Sequence, residues 1–157
     1  MLVNSMANIL LGGLTMSETI VKLSQNNALM VEQLRQSGLS DEQIVNDAIA
    51  RTLPVDDSMF EFDYNELSNF VVQELNILQS ALRDGYQIKY NTIRGIRCWI
   101  LIVFEQDPVL VFDAGKEAVY ATLNKAQQQQ LQPVLSHGWQ LSVLNEETGE
   151  VVIKPIG

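Results

Sequence analysis

The chain has 157 residues, 46% of them hydrophobic and 18% charged. That size and balance can bury a core without disulfides or a structural metal, and they exclude long disordered stretches. Ten Lys and Arg against 19 Asp and Glu give a net charge of −9, which repels a phosphate backbone, argues against nucleic acid and favours basic partners. The field is uneven, because residues 16–85 hold 4 basic and 12 acidic side chains while residues 86–157 hold 6 and 7.

Residues 1–15 carry no charged side chain. A secretory signal needs a positive start before its apolar segment, so this stretch is expected to be a poorly ordered leader, with Met16 as an alternative start. No run reaches the 18 apolar residues of a membrane span. Residues 16–157 are expected to form a single α+β domain, within which residues 17–53 could move as a helical hairpin. Cys98 is the only cysteine, which rules out an internal disulfide and fits a reduced, cytoplasmic setting.

Ile20, Leu23, Met30, Val31 and Leu34 recur at helical spacing, so Ser17 to Gln36 is read as a helix stopped by Gly38. Ser40 with Gln43 makes a capping box for a second helix, whose stripe runs from Ile44 to Leu53 before Pro54. Val55 to Tyr64 is a connector. Asp63 and Glu66 repeat the capping-box spacing and open a third helix from Tyr64 to Asp84, closed by Gly85.

From Tyr86 to Thr92 the pattern alternates, predicting a strand, and Arg94 with Gly95 is read as a tight turn. Ile96 to Phe104 is nearly continuous apolar sequence and is read as a central strand covered on both faces. Val109 to Asp113 continues the meander, as does Ala118 to Leu123, for which a helix running into the glutamines is the alternative. Asn124 with Gln127 caps a helix from Lys125 to about Ser136, bent at Pro133, and Trp139 to Leu144 with Glu150 to Lys154 form a closing hairpin. The expected fold is therefore three N-terminal helices followed by an antiparallel sheet of five to six strands, with one further helix before the last hairpin.

Little in this chain suits side-chain catalysis. His137, the only histidine, is expected to be a helix C-cap beside Gly138, and its neighbour Ser136 cannot share its direction. Cys98 in an apolar segment lacks the setting that makes a thiolate. Two Cys and His residues are too few for a structural zinc, the acids Asp56, Asp57, Glu61, Asp63 and Glu66 lack EF-hand spacing, and no phosphate-binding glycine motif occurs. No cofactor or metal is expected, and no enzyme.

Two constellations remain. In the connector, Asp56, Asp57, Met59, Phe60, Glu61, Phe62 and Tyr64 interleave aromatics with acids, a pattern that suits a basic or apolar protein partner; the alternative is that Phe60 and Phe62 staple the third helix to the sheet. Lys89, Arg94 and Arg97 stand near Tyr86, Tyr90 and Trp99 and could hold a small anion. A central strand apolar on both faces would need a second subunit, so a homodimer is expected. The segment Ser40 to Leu53 resembles a DNA-reading helix only in outline, since Asp41, Glu42 and Asp47 outweigh Arg51. The leading expectation is a cytoplasmic protein-binding adaptor, assembly factor or regulator. A small-anion sensor is the alternative, and a DNA-associated regulator follows.

Overall fold

The computed structural model describes residues 19–157. The expected leader and the first two residues of the helix expected from Ser17 lie outside the described residues. Among the described residues there are five α-helices and six strands in two sheets, so the α+β class holds. None of these helices is long and apolar enough to cross a membrane.

The first element is a strand, β1 (Val21–Leu23), and not the start of a helix. Ser24 then caps α1 (Gln25–Gln36), its hydroxyl accepting from Asn27 N at 3.1 Å. Asn26 and Asn27, which look like weak points in the middle of a helix from Ser17, thus occupy the first turn, where short polar side chains are well tolerated. The Ser40 capping box forms with both halves present and starts α2 (Asp41–Ala50). Arg51 ends that helix in the left-handed region (φ 60°), three residues ahead of Pro54.

The third helix, α3 (Asn65–Asp84), runs into Gly85 as expected and carries a kink at Glu74. Its predicted capping box does not form: Asp63 Oδ1 accepts from Asn65 N, while Glu66 Oε1 turns outward to accept from Asn26 on α1. β2 (Tyr86–Ile88) follows and pairs in parallel with β1, Val21 opposite Tyr86 and Leu23 opposite Ile88. This parallel pair departs from the expected antiparallel sheet, because β1 falls within the segment read as the first helix. The strand also ends at Ile88, well short of Thr92.

The largest correction concerns the apolar run. Ile93–Phe104 is a helix, α4, with Arg94 and Gly95 in its first turn and Thr92 as its N-cap, its Oγ1 accepting from Gly95 N at 3.0 Å. A short continuous apolar run suits a buried strand and a buried helix equally, and periodicity cannot separate them. Ile96, Trp99, Ile100 and Ile102 are buried, and the remaining apolar side chains are half-buried against neighbouring elements. With no two-faced central strand, nothing in this segment calls for a second subunit. Gly95 leaves room for the Gln25 side chain of α1, whose amide a Cβ there would displace and which holds Thr92 through Gln25 Oε1 to Thr92 N (2.9 Å) and Gln25 Nε2 to Thr92 Oγ1 (3.1 Å).

The second sheet has four antiparallel strands rather than five or six, in the order β3 (Val109–Val111), β4 (Ala118–Thr122), β6 (Glu150–Pro155), β5 (Trp139–Asn145). Asn124 and Gln127 form the expected capping box of α5 (Lys125–Leu131), which passes into a 3-10 turn at Gln132–Val134 that includes Pro133. One sheet face carries Val119, Ala121, Val151 and Ile153 into a cluster with Leu23, Ile88, Ile96 and Ile100; a second cluster joins Met30, Leu34, Ile44, Leu67 and Leu78 between the first three helices. Phe62 and Phe70 lie against both clusters.

Candidate functional site

The connector is ordered by one carboxylate. Asp56 Oδ1 accepts from Ser58 N (3.0 Å), and Oδ2 accepts from Ser58 Oγ (3.0 Å) and Phe62 N (2.8 Å). Burial works upward on this acid and is outweighed by those bonds, which leave it below the usual carboxylate range. Phe60 and Phe62 stack with ring centroids 5.4 Å apart and are half-buried against the core, and Tyr64 is buried. Burial, with Asp56 and Asp57 nearby, pushes the Tyr64 phenol far up and keeps it neutral. Asp57, Met59 and Glu61 face solvent, Met59 at 71% exposure, and the residues flanking Asp56 line a cavity of only about 150 Å³. The seven connector residues therefore divide, with three aromatics turned to the core and no continuous apolar surface among them.

Both arginines of the basic set already have partners. Arg97 is held by Asp107 through two bonds of 2.7 and 3.2 Å. That pairing holds the Arg97 guanidinium up and the Asp107 carboxyl down. Arg94 lies over the Phe112 ring at 4.7 Å, and Lys89 is exposed in the bend after β2.

Ser136 is buried and its hydroxyl donates to Ile88 O at 2.8 Å, which engages it structurally. His137 is exposed; the residue that caps the 3-10 turn is Leu135, two positions earlier than expected. Cys98 is half-buried on α4, not buried in a strand, and burial pushes its thiol up. Arg51, at the end of the supposed DNA-reading helix, donates to Asn69 on α3 at 2.8 Å. Among the described residues no group of three or more His, Cys, Asp or Glu could hold a metal ion.

Sequence reasoning missed a buried polar network that joins three elements. Trp99 Nε1 donates to the Tyr86 hydroxyl at 2.8 Å, and Tyr86 donates to Glu32 Oε2 at 2.6 Å. Arg35 reaches the same oxygen at 3.3 Å while holding Asp41 by two bonds and Leu82 O by a third. Glu32 is only 8% exposed. Burial first, then the adjacent Glu32 charge and its hydrogen bond, push the Tyr86 phenol well up, so it stays a neutral donor. The only signal in the sequence was a glutamate one position from apolar Val31 and two from Leu34, a charge at the border of a buried stripe.

This network opens into a groove of about 280 Å³ lined by Glu32 and Arg35 of α1, Asp84 at the end of α3, Tyr86, Trp99, and Gln129, Gln130, Pro133 and Val134 of α5 and its 3-10 turn, with Ile20 at one side. A second surface lies on the outward face of the four-stranded sheet. In register across it stand Val109, Tyr120, Val152 and Ser142, with Val111 opposite Ala118 beside them. Val109 is 65% and Tyr120 41% exposed, whereas Val152 and Ala118 are buried, and none of these residues belongs to either hydrophobic cluster. No family model, curated protein or solved structure matches the chain significantly, so its function must be argued from these side chains and surfaces.

Proposed function

We propose that this chain is a non-enzymatic protein-binding protein, an adaptor, assembly factor or regulator, that works as a homodimer and engages a basic partner. The observation that carries the proposal is the outward sheet face. An antiparallel sheet with one face on the core ordinarily alternates apolar inward and polar outward, yet here Val109 and Tyr120 stand exposed on the outward face, beside half-buried Val111 and buried Val152. Exposed apolar area of this kind marks a contact surface.

The occupant this face suits is a second copy of itself. Along β6, Glu150 and Lys154 share the outward face with Val152 and lie on either side of it. A two-fold axis between two such sheets and perpendicular to β6 sets Glu150 of one copy against Lys154 of the other, with the apolar residues in between. The acidic helices, which carry most of the −9 charge, remain available to a basic protein. Light scattering coupled to size exclusion tests this. The wild-type chain is expected to run as a dimer and the Val109→Asp/Tyr120→Glu variant as a folded monomer. A wild-type monomer, or a dimer indifferent to those two substitutions, would refute the sheet-face contact.

A further inference from the structure

We propose that the groove between α1, α4 and α5 is the receptor for one cationic side chain, a Lys or Arg of a partner protein, whose charged tip is held by Glu32 Oε1. The inference rests on the protein-binding reading above and adds the position and chemistry of the contact.

Glu32 is nine-tenths buried at its side chain, and both of its described contacts go to one oxygen, Oε2. Among the described residues nothing donates to Oε1. A carboxylate oxygen removed from bulk water is costly to leave without a donor, and this one belongs to a residue that lines the groove. Four of the five Arg35 N–H groups go to Glu32 Oε2, Asp41 and Leu82 O, and the one left, on Nη1, makes no bond to Oε1. Tyr86 is likewise committed, its single proton to Glu32 and its oxygen to Trp99.

Charge and shape narrow the ligand. Around the groove, Glu32, Asp41 and Asp84 outnumber Arg35, so an anion is repelled and a cation attracted. A volume of about 280 Å³ is at the small end of binding pockets and suits one extended side chain. Ile20, Pro133 and Val134 supply apolar wall for an aliphatic stem, and Gln129 and Gln130 can bond the neighbouring backbone. A long stem with a charged N–H tip matches that sequence of surfaces from mouth to floor.

The test is a titration of the full chain with a short acetylated, amidated Gly-Gly-Arg-Gly-Gly peptide, followed by amide and indole resonances. Shifts are expected at Glu32, Trp99 and Val134. The same peptide with neutral citrulline in place of Arg should bind about ten-fold more weakly or worse, as should Glu32→Gln protein with the Arg peptide. If Glu32→Gln does not fold, Asp84→Lys at the exposed rim replaces it and is expected to weaken binding in the same direction. Equal binding of the Arg and citrulline peptides, unchanged binding by the variant that folds, or no shift at these residues at millimolar peptide would each overturn the site. The Val109→Asp/Tyr120→Glu protein separates this idea from its parent: peptide binding retained there leaves the groove intact even if the sheet-face contact fails.

Discussion

The Tyr86 hydroxyl donates to Glu32 Oε2 at 2.6 Å and so ties β2 to α1 across 54 positions of sequence. The same hydroxyl accepts from Trp99 Nε1 on α4, which makes one oxygen the meeting point of three elements.

Tyr86→Phe removes that oxygen and strands two buried groups, the Trp99 N–H and part of the Glu32 carboxylate. A loss of about 1–3 kcal/mol in urea unfolding is expected. A change under about 0.5 kcal/mol would mean that water enters and replaces the hydroxyl.

Tyr86 and Tyr64 both have phenols raised above the unfolded value of 10.0. The folded chain then keeps protons that the unfolded chain releases once pH passes about 10, so stability is complete below that pH and falls above it. Urea midpoints measured on the alkaline side should drop steadily, and Tyr86→Phe should flatten the drop. Parallel curves for the two proteins would contradict the assignment.

Asp56→Ala should loosen residues 56–63, because three hydrogen bonds end on that carboxylate. The expected cost is about 1–3 kcal/mol at neutral pH, together with faster proteolysis in the connector. Asp56 is depressed in the fold, so its contribution is present above the unfolded value and is lost as pH falls through the folded one. The gap between wild type and variant should therefore close in acid; a gap constant down to strongly acid pH would rule this out.

Gly95→Ala sets helix propensity against fit. Alanine gains at most about 1 kcal/mol over glycine in a helix, and less in the first turn where Gly95 sits, while its methyl group displaces Gln25 and breaks the two bonds to Thr92. A net loss of about 1 kcal/mol is expected. Gln25→Ala combined with Gly95→Ala should be more stable than the sum of the two single changes, and strict additivity in thermal melts would show that the side chain had simply moved aside.

Two of the three capping boxes read from the sequence were legible as self-contained local signals, while the Asp63–Glu66 box gave way to the bond from Asn26 to Glu66. Ser40 with Gln43 and Asn124 with Gln127 specify their helix starts within four residues, and both boxes form; the closing hairpin is read from alternation and its Gly149 turn. What depended on distant partners was misread. Val21–Leu23 is a strand only because Tyr86–Ile88 lies beside it, and in Ile93–Phe104 the unbroken apolar run from Cys98 to Phe104 drew attention away from the helical spacing of its buried residues Ile96, Trp99 and Ile100. The Thr92 cap before Gly95 was the local clue to that helix and was taken for part of a strand. The Glu32 network draws on α1, β2 and α4, three places no local window joins, while the connector aromatics stood out in sequence because Asp56 gathers them within eight residues.

The parallel pairing of β1 with β2 makes residues 24–85 a loop closed at its neck by two three-residue strands. Closure entropy grows only with the logarithm of loop length, so ten extra residues inserted into that loop would cost about 0.1–0.2 kcal/mol. Val55, 92% exposed and outside any helix or strand, is where such a graft disturbs least. A fluorescent or affinity tag spliced there would leave both the sheet face and the Glu32 groove free, which gives the chain an internal handle independent of its ends.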